Sequence, residues 1–92
     1  MADEILGLEA LARRDYREAD RRLGLAEPHA SHALRLRMWR VLALGLAGDR
    51  EGCARLLEGA RDMARAAGAD LVPLDWLATR FAIADPTERA GS

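Results

Sequence analysis

The chain has 92 residues, enough for one domain with a modest core and close to the size at which folded chains are only marginally stable. Half of the residues are apolar, but no unbroken apolar run approaches the roughly 18 residues that mark a membrane span, and the start MADEILGLEA is acidic where a secretory signal is basic, so a cytoplasmic protein without membrane insertion is expected. A formal charge of −1 argues against nucleic acid as a partner, because that affinity comes mainly from a net basic surface.

All fourteen cations are Arg, and Lys, Asn and Gln are missing, which reads as the usage of a GC-rich, bacterial genome. The single Cys53 fits a reducing compartment and reads as a small buried hydrophobe.

Helix formers dominate, and breakers at Asp15, Glu27-Pro28, Gly48-Asp49, Gly68-Ala69-Asp70 and Asp85-Pro86 divide the chain into five helices. The first runs from about Asp3 to Arg13, with Ile5, Leu8 and Ala12 on one side and Leu6 and Ala10 beside them. The second is expected to be capped by Asp15, with Glu18 completing a capping box, and to turn Ala19, Leu23 and Ala26 inward before Pro28 closes it. The third, about His32 to Leu46, is apolar on nearly all sides and leaves Arg35, Arg37 and Arg40 for water. The fourth, about Arg50 to Ala67, carries Cys53, Leu56, Leu57, Ala60, Met63, Ala64 and Ala67 at helical spacing and stops at Gly68. The fifth begins near Asp70, tolerates Pro73 in its first turn and ends near Ala84. The expected class is all-α, a single domain over residues 1–84 with a disordered tail over 85–92.

Arg14-Asp15 and Gly48-Asp49 lie 34 residues apart, and the same shift carries Leu23 to Leu57 and Ala26 to Ala60. Leu6-Gly7, Ala10, Ala19 and Leu23 fall on the spacing of the Leu-Gly, Tyr, Ala and Phe slots of the tetratricopeptide repeat. The segment ARRDYREA closely resembles that family's helix-turn-helix crossing. The resemblance covers residues 3–67 and implies two antiparallel helix pairs, with the fifth helix as a cap. Departures are Asp3 in place of the family's Trp, Ala10 and Leu44 for its Tyr, Val41 for its Gly and Cys53 for its small Ala. A plain bundle of four or five helices is the alternative.

Little in the chain suggests catalysis. His29 and His32, with Glu27 as the sole nearby acid, are too few for a metal site, and neither a nucleophile with its base nor a phosphate-cradling glycine loop is present. No enzyme activity, metal or cofactor is expected. Asp15, Glu18 and Asp20 alternate with Arg17, Arg21 and Arg22 as on a solvated, ion-paired helix face. Gly7, Gly45 and Gly59 inside helices imply close helix–helix approach.

In tetratricopeptide proteins the first helix of each pair lines a concave groove. The resemblance therefore assigns a binding surface to Glu4, Leu8, Leu11 and Ala12, to Arg35, Met38, Leu42, Gly45 and Leu46, and to Val72, Trp76, Thr79 and Arg80. Such a surface, mainly apolar with one Met and one Trp, suits the apolar face of an amphipathic helix from a partner protein, with Trp76 as anchor and Arg35 or Arg80 as polar guide. The expected function is an adaptor or small chaperone, similar in size and groove character to the chaperones of type III secretion. The alternatives are a homodimer built on the apolar third helix and an accessory domain of a larger regulator.

Overall fold

The computed structural model describes residues 2–83, which form five α-helices and, among the described residues, no strand. Helix α1 spans Ala2–Ala12, α2 Tyr16–Ala26, α3 Ala33–Ala47, α4 Arg50–Ala67 and α5 Val72–Arg80, and a 3-10 turn at Glu27–His29 joins α2 to α3. The chain is all-α. Each helix packs on the next as in successive helical hairpins, and α5 also touches α3. The expected tail over 85–92 and the end of the expected domain at residue 84 lie outside the described residues.

The helix-to-helix crossing recurs in the backbone. Left-handed φ is taken by Arg14 at 66° after α1, by Gly48 at 83° after α3 and by Ala82 at 54° after α5, and also, off this spacing, by Gly68 at 67° after α4. Arg14 to Gly48 and Gly48 to Ala82 are both steps of 34 residues. The next residue then donates to a carbonyl of the last helical turn each time, Asp15 to Ala10 at 2.8 Å, Asp49 to Leu44 at 3.0 Å and Ile83 to Ala78 at 2.8 Å. These bonds satisfy carbonyls that a helix end otherwise leaves open. Arg14 and Ala82 adopt a conformation that costs a residue with a Cβ about 1–2 kcal/mol, so packing imposes the turn on them, whereas Gly48 takes it freely.

Position by position, the same period separates α5 from its predecessors. Gly7 of α1 and Val41 of α3 are buried on the side that meets the following helix, but the equivalent residue of α5 is Asp75, exposed and paired with Arg61 of α4 at 3.3 Å. Ala10, Leu44 and Ala78 stay buried throughout. Helix α5 thus keeps the inward residue and carries at 75 a charge that pairs back to α4.

The apolar stripe expected on α1 is corrected by the structure. Gly7 and Ala10 face the core, Leu8 is half-buried, and Ile5, Leu6 and Ala12 are exposed, Ile5 by 61 %. Helix α2 approaches so closely at Gly7 that a Cβ there would stand 2.7 Å from Leu23 Cγ. No described element covers the opposite side. Helix α2 buries Ala19, Leu23 and Ala26 as expected.

The capping box at Asp15 does not form. Asp15 makes no side-chain cap, and Glu18 instead takes Arg21 in a two-pronged pair at 2.6 and 3.0 Å. Its counterpart Asp49 does cap α4, accepting from the Gly52 backbone N–H at 2.9 Å. At the Asp49 cap the carboxylate uses the room left by Gly52, where a Cβ would stand 2.6 Å from Asp49 Oδ2, whereas at the Asp15 position Glu18 is engaged by Arg21.

Helix α4 ends at Gly68 in the left-handed region, as expected. Met63 is half-buried and Ala67 exposed. Helix α5 is shorter than expected, because Asp70 spends its carboxylate on the Val72 N–H at 2.9 Å and the helix starts only there. The largest core lies between α3, α4 and α5 and includes Val41, Leu44, Cys53, Leu57, Leu74 and Leu77, while smaller groups join α1 to α2 and α3.

Candidate interaction surface

An apolar trough of about 440 Å³ runs between α3 and α5, lined by Arg35, Met38, Trp39, Leu42, Pro73, Trp76 and Leu77. Residues 35, 38, 39 and 42 recur at three and four along α3 and so share one face. Pro73, Trp76 and Leu77 do the same on α5. Leu77 closes the floor, being buried in the α3–α4–α5 core, while Trp39 is 37 % and Trp76 61 % exposed. Arg35 is the one charged residue of the lining; it is exposed and makes no ion pair or hydrogen bond among the described residues.

Of the residues proposed from the sequence, the structure brings together Arg35, Met38, Leu42 and Trp76. The other nine do not line it. Leu8 packs against Leu23, Ala26 and Leu36, and Leu11 against Ala10, Ala19 and Ala43. Leu46 is exposed on α3 outside the trough, and Arg80 lies over its neighbour Phe81, 5.1 Å from the ring centre. Gly45 has a different task from binding, since a Cβ there would stand 2.6 Å from the Phe81 ring; the missing side chain seats that ring and fastens α5 to α3.

Sequence reasoning missed Trp39, Pro73 and Leu77. The signal was present, because Trp39 follows Arg35 by one helical turn, and Trp39 and Pro73 occupy equivalent positions one 34-residue step apart.

Behind the trough, α2 and α3 are joined by a chain of charges. Buried Glu27 accepts from Arg37 through one oxygen and from Arg40 through the other at 2.8 Å, and Arg40 Nε donates to Asp20 at 2.8 Å. Arg37 and Arg40, expected to face water, are therefore drawn inward, and only Arg35 of the three stays out. Burial alone would lower the Arg40 pKa, but its hydrogen bonds to Asp20 and Glu27 outweigh this and raise it. Two glycines make room: Arg40 lies against Gly24, and Arg37 Nη1 would be 2.9 Å from a Cβ at Gly59. Gly59 thus serves a guanidinium and not a helix crossing. Arg37 Nε is buried without a hydrogen-bond partner among the described residues.

The three residues weighed as metal ligands are dispersed. Glu27 is held by the two guanidiniums, His32 Nε2 contacts Glu4 at 2.8 Å, and His29 is exposed. Among the described residues no three His, Cys, Asp or Glu side chains are gathered to hold a metal ion. Burial raises the Cys53 thiol pKa, the nearby Asp49 adding to the shift, and its Sγ lies 3.5 Å from the Val41 carbonyl. A hollow of about 160 Å³ adjoins it, lined also by Gly45, Arg50 and Phe81.

No described helix is long and apolar enough to cross a membrane. No protein-family model, curated protein or solved structure matches the chain.

Proposed function

We propose that the chain is a protein-interaction module of the tetratricopeptide kind, an adaptor or small chaperone that holds the apolar face of a partner's amphipathic helix between α3 and α5. The observation that carries this reading is the trough itself, in which two exposed indoles and Met38, Leu42 and Pro73 surround a floor of Leu77 with Arg35, unpaired among the described residues, at the rim. Aromatic and Met side chains in a partly enclosed apolar cleft are typical anchors for a helix laid in a groove. The 34-residue recurrence of the turn at Arg14, Gly48 and Ala82 supports the repeat assignment.

On α5, Asp75 is paired back to Arg61 of α4, and Trp76 and Val72 are exposed. A buried Cys53 with a raised pKa fits the reducing cytoplasm of a bacterium, and no catalytic step is assigned.

The test is a titration of labelled amphipathic peptides, about 15 residues long so that a helix can form, with Leu on one face and Glu beside it. Tryptophan emission of the wild type is expected to shift on binding. Met38→Glu and Trp76→Ala should each weaken binding about 30-fold or more, as for an interface hot spot, while Leu25→Glu on the exposed surface of α2 should leave it unchanged. Equal affinity for wild type and both trough variants would overturn the proposal.

A further inference from the structure

We propose that the trough of one molecule is filled by α1 of a second copy, so that the chain associates head to tail. This rests on the trough being a helix-docking site and names its occupant. Exposed large apolar side chains occur on α1 as well as at the trough, at Ile5 and Leu6, 61 % and 38 % exposed. The stripe they form faces no described element, because α1 meets α2 on its Gly7 side.

Charge complementarity selects α1 among the exposed surfaces. It carries Asp3, Glu4 and Glu9 and no cation. Asp3 is paired with Arg22 and Glu4 with His32, which leaves Glu9 exposed and without a partner among the described residues. Arg35, at the trough, is equally unpartnered.

The spacing of the two pairs agrees. Ile5 and Glu9 are one turn apart on α1, and Arg35 and Trp39 are one turn apart on α3, about 6 Å along each axis. With α1 running antiparallel to α3 of the other copy, Glu9 meets Arg35 while Ile5 meets Trp39 and Trp76. Each molecule then offers one surface of each kind, so copies can add in an open chain or close into a ring, of which a reciprocal pair is the smallest.

Sedimentation velocity of the full-length protein over a concentration series tests this. The mean mass is expected to rise with concentration. Ile5→Glu and Trp76→Glu, with wild-type circular dichroism, should each stay monomeric, yet mixed in equal amounts they should form a complex of two chains, since the first keeps its trough and the second its α1. Glu9→Arg and Arg35→Glu should each weaken association about 3- to 10-fold, and the double swap should recover it. A wild type that stays monomeric, association untouched by Ile5→Glu, or the lack of a mixed complex overturns the inference. Peptide titration of Ile5→Glu, whose trough is intact and unblocked, decides separately whether the trough docks a helix at all.

Discussion

One methyl group separates a packed crossing from a clash at Gly7. Helix propensity favours Ala over Gly by about 1 kcal/mol, but an added Cβ would stand 2.7 Å from Leu23 Cγ and 3.2 Å from its backbone nitrogen, and Leu23 is fully buried with nowhere to retreat. Overpacking of this kind costs about 1–3 kcal/mol, so Gly7→Ala is expected to lower the urea midpoint despite the better propensity. At Gly59 the neighbour is the tip of the Arg37 side chain and not backbone, so Gly59→Ala should cost less than Gly7→Ala. Equal losses at the two positions would show that propensity and crowding have been weighed wrongly. The sequence marks the helical glycines Gly7, Gly45 and Gly59 alike; what each one meets depends on a residue far along the chain.

At the scale of the element, Asp15 and Asp49 illustrate how alike two helix starts look and how differently they are built. Only Asp49 has a glycine three residues on, and only Asp49 caps its helix. The Gly52 N–H, then the Arg17 guanidinium at 3.1 Å, hold the Asp49 carboxyl below its ordinary range against the opposing effect of desolvation. A pKa lowered by folding means that the stabilisation is complete above the unfolded value, about 4, and is lost as pH falls through the folded one. Asp49→Ala should therefore melt lower than wild type at pH 7, and the gap should close as pH falls below about 4. A gap that persists in acid would mean that Asp49 acts through packing and not charge.

Across the whole molecule, the joint between the first hairpin and the second depends on Glu27. It neutralises Arg37 and Arg40 where both are largely withdrawn from water. Breaking a fully buried pair typically costs 3–5 kcal/mol; with both guanidiniums still partly solvated, Glu27→Gln is expected to cost about 2–3 kcal/mol in global unfolding. Stability unchanged by this substitution would place the joint in the apolar contacts alone.

The sequence by itself determined the helices, their approximate limits and the inward residues of α2 and α4, because breakers, helical spacing and a 34-residue shift are local or periodic and need no knowledge of neighbours. Four trough residues, Arg35, Met38, Leu42 and Trp76, were legible for the same reason, through their place on a repeated first helix. Tertiary structure alone decided the rest. Leu8 and Leu11 left the surface because α1 closes against α2 and α3, and Trp39 joined the trough because α5 lies beside it. Arg37 and Arg40 turned inward because Pro28 and the 3-10 turn bring Glu27 beneath them. Whether a side chain reaches water or a partner depends on what stands opposite it in space, and for a helix apolar on nearly every side, as α3 is, periodicity cannot say which side that will be.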